Sequence, residues 1–195
     1  MIRRSECAVE FVAMDDAAYR NRFRVPSIRL RGWDYRRPGV YGVTICVLGR
    51  DCCLGEVQEG QVARSPFGEI VAEEWQRIPE VHPHVALDEW IVMPDHLHGI
   101  LFFEPERVEG NAKGIFAAGS LGAVVGQFKK RSTKRIRARR YAFAWQERFF
   151  DQILRNKTAL ERYRTYIREN PIRWQTHHPL TAPATETPEQ RTNVP

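Results

Sequence analysis

Apolar positions along the chain follow two rhythms, and the switches between them mark the elements. Residues 40–48 are β-branched and aromatic and predict a first strand, entered through the turn signal Pro38-Gly39 and closed by Gly49-Arg50-Asp51. Residues 52–66 predict a loop with a small hairpin. From 67 to 78 the rhythm becomes helical, with Ile70, Val71, Trp75 and Ile78 on one stripe, Glu69, Glu73, Glu74 and Arg77 between them, and Pro79 as the stop. Alternation returns over 85–93 at Val85, Leu87 and Glu89. Pro94-Asp95 reads as a turn, and 96–104 as the returning strand of a hairpin. Residues 105–119 hold three glycines and predict a linker. Ser120 is the expected N-cap of a helix to about 139 that buries Leu121, Val124, Val125 and Phe128. Residues 149–155 predict a fourth strand. Asn156 or Thr158 caps the last helix, with Thr158 and Glu161 at capping-box spacing, and Pro171 is expected to end it at Asn170.

The order β-α-β-β-α-β plus a final helix is the split βαβ arrangement. It implies an α+β, ferredoxin-like antiparallel sheet with helices on one face, a C-terminal helix, and the other face left for a ligand or partner. The chain divides into a basic N-terminal arm (1–37), whose first 19 residues form a short helix or stay loose, a folded domain (38–174), and a Thr-, Pro-, Glu- and Gln-rich tail (175–195) expected to be disordered.

Charge changes the picture. The formal net charge is +6, and it is concentrated. Residues 20–37 carry seven arginines against Asp34 alone, and 129–140 carry eight basic residues in twelve with no acid. Such clusters favour a polyanion over a merely solvated face, which makes Arg29, Arg31, Lys129, Lys130, Arg131, Lys134, Arg135 and Arg137 candidate nucleic-acid contacts. The four cysteines include no Cys-x-x-Cys, so neither structural zinc nor a disulfide framework is read, and Cys46 reads as a small core residue. No apolar run nears the roughly 20 residues of a membrane span, and the start lacks a signal-peptide core. A cytoplasmic, nucleoid-associated protein is expected.

The candidate chemistry lies at Met93-Pro94-Asp95-His96-Leu97-His98-Gly99. Strand alternation points His96 and His98 the same way and Leu97 into the opposite layer, so two imidazoles sit side by side, as strand-end polar residues or as metal ligands. On the last helix Leu160, Tyr163 and Ile167 form the apolar stripe. Tyr166 and Asn170, four apart, border it and can face a site on the sheet, or Tyr166 can be a packed border tyrosine with a wet hydroxyl.

Several stretches, taken in order, resemble the single-tyrosine HUH (His-hydrophobe-His) transposases of the IS200/IS605-like group, most of all their REP-associated branch. They are Ile28-Arg29-Leu30-Arg31-Gly32-Trp33-Asp34-Tyr35, Tyr41-Gly42-Val43-Thr44-Ile45-Cys46, Met93-Pro94-Asp95-His96-Leu97-His98-Gly99, Val125-Gly126-Gln127-Phe128-Lys129, Trp145-Gln146-Glu147-Arg148-Phe149 and Tyr166-Ile167-Arg168-Glu169-Asn170-Pro171. The resemblance covers roughly residues 28–174 and implies that His96, His98 and Asn170 hold a divalent metal, Mg²⁺ or Mn²⁺. It implies that Tyr166 is the nucleophile. Tyr163, more central on the apolar stripe, is the runner-up, and the positive charge a phenol needs to act at neutral pH can come from the metal, Arg164 and Arg168. The implied activity is cleavage and rejoining of single-stranded or hairpin DNA through a 5′-phosphotyrosine link, by a monomer or homodimer. The alternative is a domesticated protein that binds structured DNA or RNA without cutting.

Overall fold

A computed structural model describes residues 33–104 and 119–177. Arg29 and Arg31, most of the 105–119 linker, and the tail from 178 lie outside the described residues.

The elements in chain order are β1 (Gly39–Cys46), a hairpin of β2 (Gly55–Gln58) and β3 (Gln61–Arg64), α1 (Pro66–Gln76), α2 (Ile78–Val81), β4 (Val85–Val92), β5 (His96–Phe103), α3 (Leu121–Arg137), β6 (Phe150–Ile153) and α4 (Lys157–His177). The main sheet has the order β4-β5-β1-β6, with every pair antiparallel. This is the expected α+β, split βαβ arrangement.

Strand parity sorts the sheet into two faces. Tyr41, Val43 and Ile45 of β1 and Leu97, Leu101 and Phe103 of β5 enter one core with Ile70, Val71 and Trp75 of α1 and Leu121, Val124, Val125 and Phe128 of α3. Gly99 belongs to this face, where a Cβ would lie 2.3 Å from the Trp75 ring, so only glycine lets the indole lie against β5. The alternate residues face the other way. Ile100, Leu154, Tyr163 and Ile167 form a smaller cluster there, flanked by Val40, Ile91, Phe102 and Tyr166. The face expected to be open is therefore covered in part by α4.

Local chemistry explains most boundaries. Ser65 Oγ accepts from the Phe67 and Gly68 amides, and Pro66 stands at the first helical position of α1. Ser120 Oγ accepts from the Ala123 amide, as expected of its cap. Asn156 caps α4, its Oδ1 accepting from the Ala159 amide. The described end of the basic arm packs on the body: Tyr35 is buried, and Trp33 Nε1 donates to Tyr41 Oη at 3.2 Å.

Three expectations are corrected. Pro79 does not stop α1, which ends at Gln76; the proline opens the short α2 instead. Pro171 does not end α4, which runs six residues further, to His177. An interior proline forfeits a backbone hydrogen bond. Offsetting contacts lie in the last turns, where Trp174 packs on His96 with ring centroids 5.7 Å apart and Gln175 Oε1 accepts from the Gly60 amide at 2.9 Å. Finally, β4 does not alternate through Glu89: Leu87 pairs with Leu101 but Trp90 with Gly99, so one extra residue is bulged out between them.

Candidate active site

Because Leu97 faces the main core, His96 and His98 face α4. Register then chooses their neighbours: β1 sets Thr44 opposite His98 and Cys46 opposite His96. Thr44 Oγ1 lies 2.8 Å from His98 Nδ1. Asp95, read from sequence as a turn residue, is fully buried, with one carboxylate oxygen 2.5 Å from His96 Nδ1 and the other 2.7 Å from Arg50 Nε. A carboxylate only accepts, so His96 carries its proton on Nδ1 and turns the Nε2 lone pair into the site. Thr44 does the same for His98 when its hydroxyl accepts from Nδ1–H. Arg50 itself has φ +58°, following Gly49 at +72°, a left-handed pair that swings its side chain back under the hairpin. Its guanidinium also donates to Cys46 Sγ at 2.8 Å.

Three side chains converge on one atom of a fourth, His98 Nε2. His96 Nε2 is 2.9 Å from His98 Nε2, and the Tyr166 hydroxyl and the Asn170 amide are each 3.3 Å from that same nitrogen. The two elements expected to meet, the hairpin strand and the last helix, thus meet within one chain. Helical spacing lets Tyr166 and Asn170 share a face, and β5 parity lets the two histidines meet them.

The donor set fits a divalent cation of octahedral preference. Two ligands at right angles on a cation with bonds of roughly 2.1 Å stand about 3 Å apart, which is the spacing of the two Nε2 atoms. Asn170, turned amide oxygen inward, adds a hard third donor. Among the described residues no group of three or more His, Cys, Asp or Glu is placed to hold a metal ion, so the set depends on that amide.

Electrostatics keeps the imidazoles neutral, the form in which an imidazole can bind a metal. Burial first, and the Arg50 charge second, push His96 down to about 3. Burial, then His96 and Arg50, push His98 well below its ordinary value. Both are neutral at pH 7. Burial raises the Tyr166 phenol, opposed by its hydrogen bond with Asn170 and by Arg173, whose guanidinium lies 5.7 Å from the centre of its ring. Tyr166 is therefore protonated at rest and needs added positive charge to ionise.

Tyr163, the rival tyrosine, is packed. Its ring lies over Gly42, its hydroxyl donates to the Val43 carbonyl at 3.3 Å, and burial raises its phenol. Arg164 and Arg168 are committed elsewhere, to Asp88 and Glu89 of β4 at 2.7 Å each. The cation beside Tyr166 is Arg173, which also pairs with Glu169 at 2.7 Å and which sequence reading missed because it follows the proline expected to end the helix.

The basic candidates of α3 lie on the opposite face of the sheet. Lys129 Nζ donates to the carbonyls of Gln146 and Arg148 at 2.9 and 3.0 Å, binding the 146–148 loop. Arg131 and Arg135 pair with Glu74, and Arg137 donates to the Phe143 carbonyl. Lys130 and Lys134 are exposed.

No family model matches the chain. An uncharacterised Haemophilus influenzae protein is 32% identical over 163 residues, covering 76% of this chain and 89% of that protein. Among solved structures, a REP-associated tyrosine transposase bound to a REP hairpin superposes with a TM-score of 0.54 at 19% identity, over 74% of this chain and 73% of that one. A candidate transposase from Deinococcus radiodurans aligns over 73% of this chain and 96% of its own at 16% identity, with a TM-score of 0.44, too distant to bear on the fold. The chain belongs to one family with the Haemophilus influenzae protein, and its fold is that of a REP-associated tyrosine transposase.

Proposed function

We propose that this protein is a transposase-like enzyme, a metal-dependent single-strand DNA endonuclease and strand transferase with Tyr166 as nucleophile. The observation that carries the reading is the meeting of the Tyr166 hydroxyl, the Asn170 amide and two neutral imidazoles around one point. A bound Mg²⁺ or Mn²⁺ would polarise the scissile phosphate and lower the cost of ionising a nearby phenol. His96, His98 and Asn170 would hold it, with Asp95 and Thr44 fixing the ring orientations.

In the reaction Tyr166 Oη forms a bond to phosphorus and the bond from phosphorus to the 3′ oxygen breaks. The phenol loses its proton, and the departing 3′ oxygen gains one to become a free hydroxyl. The 5′ side stays on the protein as a phosphodiester, so little bond energy is lost and the same chemistry run backwards rejoins a strand. Arg173 stabilises the phenolate. The site is complete within one chain, so a monomer suffices for cleavage. The solved relative in fold is bound to a REP hairpin, and we extend that class of substrate, hairpin-bearing single strands, to this chain. Lys130 and Lys134 are available to its phosphates.

The test is a labelled single-stranded hairpin DNA incubated with Mg²⁺ or Mn²⁺ and run on a denaturing gel. A covalent adduct with the native protein that vanishes in Tyr166→Phe supports the reading. An adduct that survives the substitution refutes the nucleophile. Tight binding with neither adduct nor cleavage identifies the non-cleaving binder instead, and cleavage without adduct identifies a hydrolase using water.

A further inference from the structure

The bulge in β4 does something the strand alone could not. Leu87 faces the main core, so Asp88, the next residue, faces α4; Trp90 also faces the main core, so Glu89, just before it, faces α4 too. One extra residue thus turns two adjacent carboxylates to the same side. Across from them Arg164 and Arg168 stand one helical turn apart, and both pairs close at 2.7 Å. These two arginines bracket Tyr166. Elsewhere α4 is held by its buried residues Tyr163, Ile167, Asn170 and Pro171 and, in its last turns, by Trp174 on His96 and Gln175 on Gly60.

We propose that Asp88 and Glu89 are positioning residues, a two-point latch that fixes the slide and rotation of α4 and so holds the Tyr166 hydroxyl against the histidine pair. Two pairs a turn apart on one side, with the Tyr163 ring over Gly42 on the inner side and Trp174 on His96 at the far end, define its azimuth and height. The latch acts through Tyr166 and rests on the nucleophile assignment above, but its mechanical half can be read without any DNA.

The experiment compares the full chain with Asp88→Asn/Glu89→Gln, with Glu89→Arg, and with the exchanged pair Glu89→Arg/Arg168→Glu. The first readout is amide hydrogen exchange over residues 164–177, with α3 as the internal control. Partly exposed ion pairs are individually weak, so we expect exchange in α4 to speed about five-fold in the first two variants, with α3 unchanged, and to return toward native in the exchanged pair. The second readout is adduct formation: the rate at saturating DNA falls several-fold in the first two variants while the half-saturating DNA concentration holds, and the exchanged pair restores the rate. Unchanged α4 exchange, equal loosening of α3, or an exchanged pair as loose as Glu89→Arg overturns the latch. Native protein that forms no adduct defeats the function reading instead, and the exchange data then still decide whether α4 is latched.

Discussion

Replacing Gly42 by alanine tests how the tyrosine helix is seated. A Cβ at this position would lie 2.6 Å from Cζ of Tyr163 and 2.8 Å from both Cε atoms of that ring. Ordinary carbon contacts begin near 3.5 Å, so the ring must retreat by about 1 Å. Tyr163 is buried between α4 and β1 and cannot swing out without losing its bond to the Val43 carbonyl. Overpacking of this kind costs about 1–3 kcal/mol, and the lost hydrogen bond about 1 more. For a domain of this size that lowers the melting temperature by about 5–15 °C. The helix that moves also carries Tyr166, so adduct formation slows as well. Differential scanning calorimetry and the adduct assay read the two effects. The decisive comparison repeats the substitution in a Tyr163→Ala background, where the obstructing ring is gone and most of the added cost should disappear. Equal cost in both backgrounds, or no cost in either, would refute the packing argument.

Four further outcomes follow from the same geometry. Gly126→Ala, on the exposed side of α3 with nothing within 4 Å of its would-be Cβ, should raise stability by about 0.5–1 kcal/mol in urea titration. Tyr163→Phe should lose about 1 kcal/mol of stability yet keep adduct formation within a few-fold, in contrast to Tyr166→Phe. Asp95→Asn, which removes the carboxylate orienting His96, should weaken Mn²⁺ affinity about 10–100-fold in calorimetry. With EDTA present, stability should fall as pH drops from 7 to 5. His96 stays neutral in the folded protein, at about 3, while the unfolded chain takes up the proton near 6.5, so His96 alone costs about 2 kcal/mol over that interval. Denaturant midpoints at the two pH values check this, and a His96→Gln variant should show a smaller drop.

The sheet, its helices and the two central histidines were legible because they depend on period. Parity alone turns His96 and His98 to one side, and helical spacing alone aligns Tyr166 with Asn170. What sequence reading missed depends on register and on contacts distant in the chain. Thr44 meets His98 only because β1 and β5 pair as they do. Asp95 looked like a turn residue, and only the buried hairpin makes it a carboxylate that orients the His96 ring and is shared with Arg50. Arg173 and Trp174 were hidden because local chemistry ends a helix before Pro171, whereas contacts with His96 and the β2–β3 turn carry it onward. The basic run of α3 was legible as charge but not as surface: Lys129, Arg131, Arg135 and Arg137 are bonded within the chain.

The central claim is that Tyr166, and no other residue, attacks the phosphate. Trypsin offers a direct reading, because the arginines at 162, 164 and 168 separate the two rival tyrosines: Tyr163-Arg164 leaves as one peptide and Thr165-Tyr166-Ile167-Arg168 as another. Native protein reacted with hairpin-bearing single-stranded DNA and Mn²⁺, digested with trypsin and nuclease, is analysed by mass spectrometry. The account predicts a nucleotide joined through its 5′ phosphate to the peptide of Tyr166, with a free 3′ hydroxyl on the released strand. A nucleotide on the peptide of Tyr163, or cleaved DNA with no modified peptide, would contradict it.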